Sequence, residues 1–282
     1  MPQSPSRRRW NWRLLRAGTF RLDGGAMFGI IPKALWSDLN KPDRENRITL
    51  QTNCLLLEDG GERVLVETGY GNKFDQKERS IFAMEKRWIR DALEEVGVAP
   101  ADINHVILTH LHFDHAGGLS FVDGKDDDPK STFPNAKIHV QKVEWEDAIA
   151  NKSTMRRTYM RNHLDPVEDQ VQLVEGEVEV TPGIRVRPVP GHTWGQQAVI
   201  FRDAEGTVCF PGDVMPTINH VGLPYNMAYD MMPYENMQTK QTLLADAQRD
   251  GWRIVIDHEP GPAVVTVDRD DRGRFKLVQA SS

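Results

Sequence analysis

Six consecutive residues, His110-Leu111-His112-Phe113-Asp114-His115, constrain this chain more than any other stretch. Three histidines and an aspartate set so close together are a poor use of sequence for a core, where every buried polar group has to find a partner. The run follows His105-Val106-Ile107-Leu108-Thr109, a short apolar stretch that reads as a strand buried on both faces. Side chains at the carboxyl ends of buried strands converge on a crevice. In an extended segment His110 and His112 point the same way and can chelate one ion, while Asp114 and His115, where the chain turns, can reach a second. Gly117-Gly118 then lets the backbone turn tightly beside the site.

Distal partners stand at matching places. Gly191-His192 follows a strand predicted over 186–189, Gly212-Asp213 one over 207–210, and Asp257-His258 one over 253–256, the last buried strand. His105, His139 and His163 read instead as satisfied polar residues. Asp59-Gly60-Gly61 joins two apolar runs, 48–57 and 63–67, as a hairpin. Apolar residues at Ile81, Met84, Trp88, Ile89, Ala92, Leu93 and Val96 have helical spacing, so a helix is expected over 81–96, closed by Gly97. Further strands are expected at 137–140, 171–174, 178–180, 184–189 and 198–201, with helices over 143–150 and 234–249. Strand-rich stretches punctuated by single helices suggest two sheets with helices outside. The segment 212–233 is long, rich in Pro, Met and Tyr and without periodicity, a candidate functional loop.

With 282 residues the chain can bury one sizeable α/β core, and its apolar runs fall far short of the roughly 20 residues that span a bilayer. Its 41 acidic against 35 basic residues argue against a surface built to neutralise nucleic-acid phosphates. Two cysteines, Cys54 and Cys209, rule out a disulfide framework and point to a reducing compartment. Ser6-Arg7-Arg8-Arg9-Trp10 has the look of a twin-arginine signal, but Asn11, Arg13 and Arg16 interrupt any apolar stretch behind it. Residues 1–18 are therefore read as a basic tail running into a first strand, and the protein as cytoplasmic.

The order His-x-His-x-Asp-His, Gly-His, Asp, His resembles the metallo-β-lactamase-fold hydrolases, from the hairpin at Asp59 to His258. Several stretches are similar to a quorum-quenching N-acyl-homoserine lactonase subgroup: Asp23-Gly24-Gly25-Ala26-Met27-Phe28-Gly29 with Pro32-Lys33 and Trp36, Phe133-Pro134-Asn135-Ala136, and Met227-Ala228-Tyr229-Asp230. The resemblance implies an α/β (α+β) fold, a four-layer αβ/βα sandwich of two mixed sheets with outer helices, in one domain over 1–282. It puts His110, His112 and His192 on a first metal, and Asp114, His115 and His258 on a second, with Asp213 bridging. The family's strand-end Asp-Thr-Gly appears here as Glu67-Thr68-Gly69, an acid that supports the site from behind the ligands.

Five imidazoles and two carboxylates without a thiolate suit two divalent ions, zinc first, with iron, manganese or cobalt as alternatives. The implied reaction is opening of an N-acyl-homoserine lactone, with hydroxide supplied by the paired metals as nucleophile. If only one metal is bound, Asp114 is instead a candidate proton shuttle. Related lactonases place a tyrosine near the bridging Asp, where this chain has Met215-Pro216, so Tyr225, Tyr229 and His220 are substitutes by proximity, with loop packing the alternative. Met27, Phe28, Ile30 and Trp36 offer an apolar wall for an acyl chain, core packing being the stronger reading for Ile30 and Trp36. The expected partner is a small lactone or ester, with no nucleic acid and no membrane, and a homodimer is common among relatives. Phosphotriester, aryl-ester or thioester hydrolysis on the same site is the main alternative. A nuclease and a non-catalytic metal-binding sensor rank below it, and Asp213 stands where many β-lactamases use cysteine.

Overall fold

The computed structural model describes residues 8–124, 127–150 and 158–280; residues 1–7 of the expected tail lie outside them. The chain opens with two long strands, β1 (Asn11–Asp23) and β2 (Arg47–Asp59), separated by helices α1 (Gly24–Phe28) and α2 (Lys33–Leu39). Next come β3 (Glu62–Val66), helices α3 (Gln76–Ile81) and α4 (Ile89–Glu95), β4 (His105–Ile107) and the short α5 (Phe113–Ala116). A small pair, β5 (Ser120–Phe121) and β6 (Lys130–Ser131), precedes β7 (Lys137–Gln141), α6 (Lys142–Ala150), α7 (Arg161–Leu164) and β8 (Val171–Val174). The second half runs β9 (Val178–Thr181), β10 (Ile184–Pro188), β11 (Gln197–Arg202), β12 (Thr207–Phe210), α8 (Pro233–Asp250), β13 (Arg253–Val255), β14 (Val264–Arg269) and β15 (Phe275–Gln279).

Two mixed sheets result, in the orders β1-β2-β3-β4-β7-β8 and β15-β14-β13-β12-β11-β10-β9. Their facing sides share one core: Leu55, Leu57, Val64, Val66 and Ile107 of the first meet Val186, Val199, Phe201, Val208 and Phe210 of the second. The alternate residues of the same strands face outward and are covered by helices. Leu56, Leu65 and Val106 pack with Ile89 and Leu93 of α4 and Trp145 of α6, while Ile200, Cys209 and Ile254 pack with Leu243, Leu244 and Ala247 of α8. Burial on both faces explains why these strands read as nearly continuous apolar runs. The four layers are those expected, and no helix among the described residues is long and apolar enough to cross a membrane.

Two expectations are corrected. The helix over 81–96 is broken, because residues between α3 and α4 complete the open edge of β1. Arg21 N–H donates to Phe82 O at 2.7 Å and Glu85 N–H to Thr19 O at 2.9 Å, with Ala83 at a φ of 45°. Phe82 and Met84 thereby join the cluster around Phe20, Met27, Phe28 and Trp36, while Ile81 is left exposed. The strand at 253–256 is not the last: β14 and β15 extend the second sheet beyond it, β15 as a half-exposed edge.

The sheets also touch end to end. Gln197 N–H donates to Thr109 O, joining the start of β11 to the chain beyond β4, and Asn53 N–H, from mid-β2, donates to Asp257 O beyond β13. The functional side chains gather at this seam.

Candidate metal centre

Each motif residue reaches the seam from a strand end or the turn behind it. Beyond β4, Thr109 N–H is held at 2.6 Å by Glu67 Oε1, which fixes the chain as it enters the histidine run. Gly117 packs against the turn after Glu67 so closely that a Cβ there would lie 2.3 Å from Tyr70 O. Gly212, at a φ of 57°, lets the end of β12 cross Thr109 and bring Asp213 alongside; a Cβ would lie 2.7 Å from Thr109 Oγ1.

Two clusters form. In the first, one ring nitrogen each from buried His110, His112 and His192 lies within 4.8 Å of the others. In the second, His115 Nε2 and His258 Nε2 stand 3.3 Å apart. Asp213 lies between the clusters: Oδ2 is 3.2 Å from His192 Nε2 and 4.0 Å from His110 Nε2, while Oδ1 is 3.2 Å from His258 Nε2. Asp114 closes the second cluster, at 3.6 Å from His258 Nε2 and 3.8 Å from His115 Nε2. Asp257, which sequence reasoning passed over, also comes within reach of this cluster. Its Oδ2 is 3.1 Å from His115 Nδ1, beside Glu67 Oε2 at 3.2 Å. An imidazole gives a metal one nitrogen, and Nε2 of His115 faces the other ligands, so Asp257 and Glu67 orient the ring from behind.

The outer nitrogens of His192, His258 and His110 also have partners. His192 Nδ1 is 2.8 Å from Asp230 Oδ1, His258 Nδ1 2.8 Å from Gln51 O, and His110 Nδ1 3.0 Å from Thr109 Oγ1. Burial, reinforced by neighbouring imidazoles, pushes His110 and His112 well below the usual histidine range and keeps them neutral, the form that ligates. Burial opposes a charged His258, but Asp257, Asp213 and Asp114 outweigh it and raise the ring to about 10. His115 is raised for the same reason, and Asp213 is held low by His258, His192 and His115 against its own burial. His110 Nε2 and Asp213 Oδ1 are buried without a hydrogen bond. Buried acceptors turned toward one another, with surplus carboxylate charge around them, fit a pair of divalent cations.

Over the clusters lies a pocket with about 640 Å³ of empty space. His112, His192, Asp114, Asp213 and His258 form its polar end; Leu22, Met27, Phe82, Phe113 and Met227 form an apolar wall, with Thr158 and Tyr229 beside them. Tyr229 is half-buried here, and burial first, then Asp23 and Asp114, pushes its hydroxyl up to about 12.

Three expected site residues stand elsewhere. His220 is buried with both nitrogens engaged, 2.8 Å from Thr217 Oγ1 and 2.8 Å from Met27 O, and its ring stacks on Phe28 at 4.7 Å. Phe28 in turn stacks on Trp36 at 5.5 Å, so it supports Met27 from behind and does not line the pocket. Tyr225 packs edge-on against Phe28. Ile30, expected in the core, is 84% exposed. His163 is not satisfied either among the described residues: it is buried beside Phe74, and neither ring nitrogen hydrogen-bonds to one of them. Aromatic packing, invisible to local spacing, decides the placement of His220, Phe28 and Tyr225.

Comparison with known proteins gives a consistent result. The family model of the Metallo-beta-lactamase superfamily matches residues 47–258. An N-acyl homoserine lactonase of Bacillus thuringiensis is 29% identical over 183 residues, which are 61% of this chain and 64% of the relative, so the match spans a little under two thirds of that protein. A probable metal-dependent hydrolase from Staphylococcus aureus superposes with a TM-score of 0.86 at 27% identity, over 97% of this chain and 98% of that one. A dizinc quorum-quenching lactonase in complex with its product N-hexanoyl-L-homoserine shares the fold, with a TM-score of 0.79 at 18% identity over 97% and 95% of the two chains.

Proposed function

The chain belongs to the metallo-beta-lactamase superfamily, as a metal-dependent hydrolase, and from that premise we propose that it opens the lactone ring of N-acyl-homoserine lactones at a dinuclear site. The observation that carries the reading is the pocket itself, which combines one polar end of ligating groups with one apolar wall. Among the described residues that line it, none is a Lys or Arg. A neutral ring with an acyl tail suits it better than a nucleotide.

His110, His112 and His192 would hold one divalent ion, and His115, His258 and Asp114 the other, shared through Asp213. Such ions, zinc first with iron, manganese or cobalt as alternatives, supply Lewis acidity and lower the pKa of water. Tyr229, kept protonated, donates a hydrogen bond to the substrate carbonyl, the task given in related lactonases to a tyrosine that this chain lacks after Asp213. Leu22, Met27, Phe82, Phe113 and Met227 hold the acyl chain and exclude water. With both ions bound Asp114 would be a ligand; with only one it would be free to pass the proton to the leaving alkoxide. The two buried free cysteines suit a reducing compartment such as the cytoplasm.

The test is acid release on adding a long-chain N-acyl-homoserine lactone to zinc- or cobalt-loaded protein, against a chelator-stripped control. Metal-dependent release supports the lactonase. Its absence from loaded protein moves the assignment to phosphotriesters, aryl esters or thioesters.

A further inference from the structure

One buried carboxylate has no part in this scheme. Glu144, in the first turn of α6, is fully buried. Its Oε1 accepts from Leu111 N–H at 2.9 Å and from the Tyr159 hydroxyl at 3.1 Å, and its Oε2 accepts from the Thr193 hydroxyl at 2.7 Å. Leu111 stands between His110 and His112, and Thr193 directly follows His192. A single carboxylate thus spans the two loops that carry the histidine triad, one from each half of the chain. The loops press close to it: a Cβ on Gly195 would lie 2.3 Å from Glu144 N.

His112 is the ligand that most needs this support. It faces the site with Nδ1, 3.0 Å from His192 Nε2. Its outer nitrogen, Nε2, is buried and makes no hydrogen bond among the described residues, whereas those of His110, His192 and His258 have hydrogen-bond partners and that of His115 faces the carboxylates of Glu67 and Asp257. The His112 ring is fixed instead by its backbone and by the Tyr159 ring, whose centroid is 5.0 Å away. Glu144 holds both.

We propose that Glu144 is a positioning residue for His112 and, through it, sets the metal affinity of the His110, His112 and His192 triad. The inference rests on the reading that this triad holds an ion. Glutamine at this position keeps the volume but replaces one acceptor oxygen by a donating NH2 and removes the charge, so at least one of the three bonds must reverse or break and the others weaken.

The experiment is cobalt(II) titration of the metal-stripped full chain, followed by visible absorption, in two backgrounds. His258→Ala leaves the triad as the readable site, and His110→Ala leaves the second cluster. In the first background Glu144→Gln and Thr193→Val are expected to weaken cobalt binding about 10- to 100-fold and to change the absorption envelope, while Thr193→Ser keeps the parent affinity. In the second background none of them should matter. Equal losses in both backgrounds, or triad affinity unchanged in both Glu144→Gln and Thr193→Val, overturns the proposal. If the His258→Ala parent takes up no cobalt at all, the metal assignment of the triad falls, and this inference with it. Thr193→Val changes one hydroxyl, so the test stands even if Glu144→Gln fails to fold.

Discussion

Asp213 is the side chain on which the others depend, since its two oxygens face different clusters. Asp213→Ala or His112→Ala should abolish turnover and lower bound metal; full activity in either variant would sink the ligand assignment. Tyr229→Phe is a subtler change. It should lower kcat on the order of 100-fold, the typical effect of deleting one donor to a developing oxyanion, with metal content unchanged by elemental analysis. The residues that gather at the seam were legible in the sequence because few other uses explain histidines and acids at several strand ends. Asp257 and Asp230 were not assigned, although one precedes His258 and the other ends Met227-Ala228-Tyr229-Asp230. What a carboxylate does behind a ring depends on which nitrogen it faces, and no spacing rule gives that. His220 and Tyr225 sit in the same loop as Tyr229, yet stacking on Phe28 turns them away from the pocket.

Among the elements, the segment between β12 and α8 shows why a chain without periodicity can still be ordered. Lys240, on α8, is fully buried and donates from Nζ to His220 O at 3.0 Å and Tyr225 O at 2.9 Å, with Gly222 O and Asn226 Oδ1 at 3.4 Å. Burial pulls this amine down to about 8, so it stays mostly charged at neutral pH. Lys240→Met would leave several buried acceptors unpaired and should cost about 2 kcal/mol in urea denaturation. Catalysis should fall with it, because Met227, Tyr229 and Asp230 follow directly in the chain. Strands were readable from apolar runs, and α8 from its spacing and its end before Gly251. The helix over 81–96 failed as an expectation because its apolar residues serve two different cores, one under α4 and one around Phe20. A single helical face cannot be told from two short faces by periodicity alone.

For the whole molecule, the sandwich carries acid sensitivity at a pair of histidines outside the metal centre. His105 Nδ1 and His139 Nε2 meet at 2.8 Å, and His105 Nε2 is 3.2 Å from Glu62. Burial, with His105 and Lys137 adding to it, pushes His139 down to about 4. Above pH 6.5 the ring is neutral folded or unfolded and contributes nothing. Between about 6.5 and 4 the unfolded chain takes a proton that the fold refuses, so stability falls as pH falls through that window, by at most about 3 kcal/mol. The difference between the native chain and His139→Gln, measured by denaturation at pH 7 and pH 5, should show this loss only in the native chain. Metal removal acts across the same body, since the ligands come from both sheets: loading at 1,000 times the dissociation constant should stabilise the fold by about 4 kcal/mol. The order of the ligands also has a consequence for synthesis. A chain leaving the ribosome has the three triad histidines by residue 192, the bridging Asp213 some twenty positions later, and His258 only after α8 and β13. The residues of the first cluster are therefore all synthesised before the second cluster is complete, and a translation product cut short between Asp213 and His258 would lack both the closing residue of the second cluster and the last strands of the second sheet.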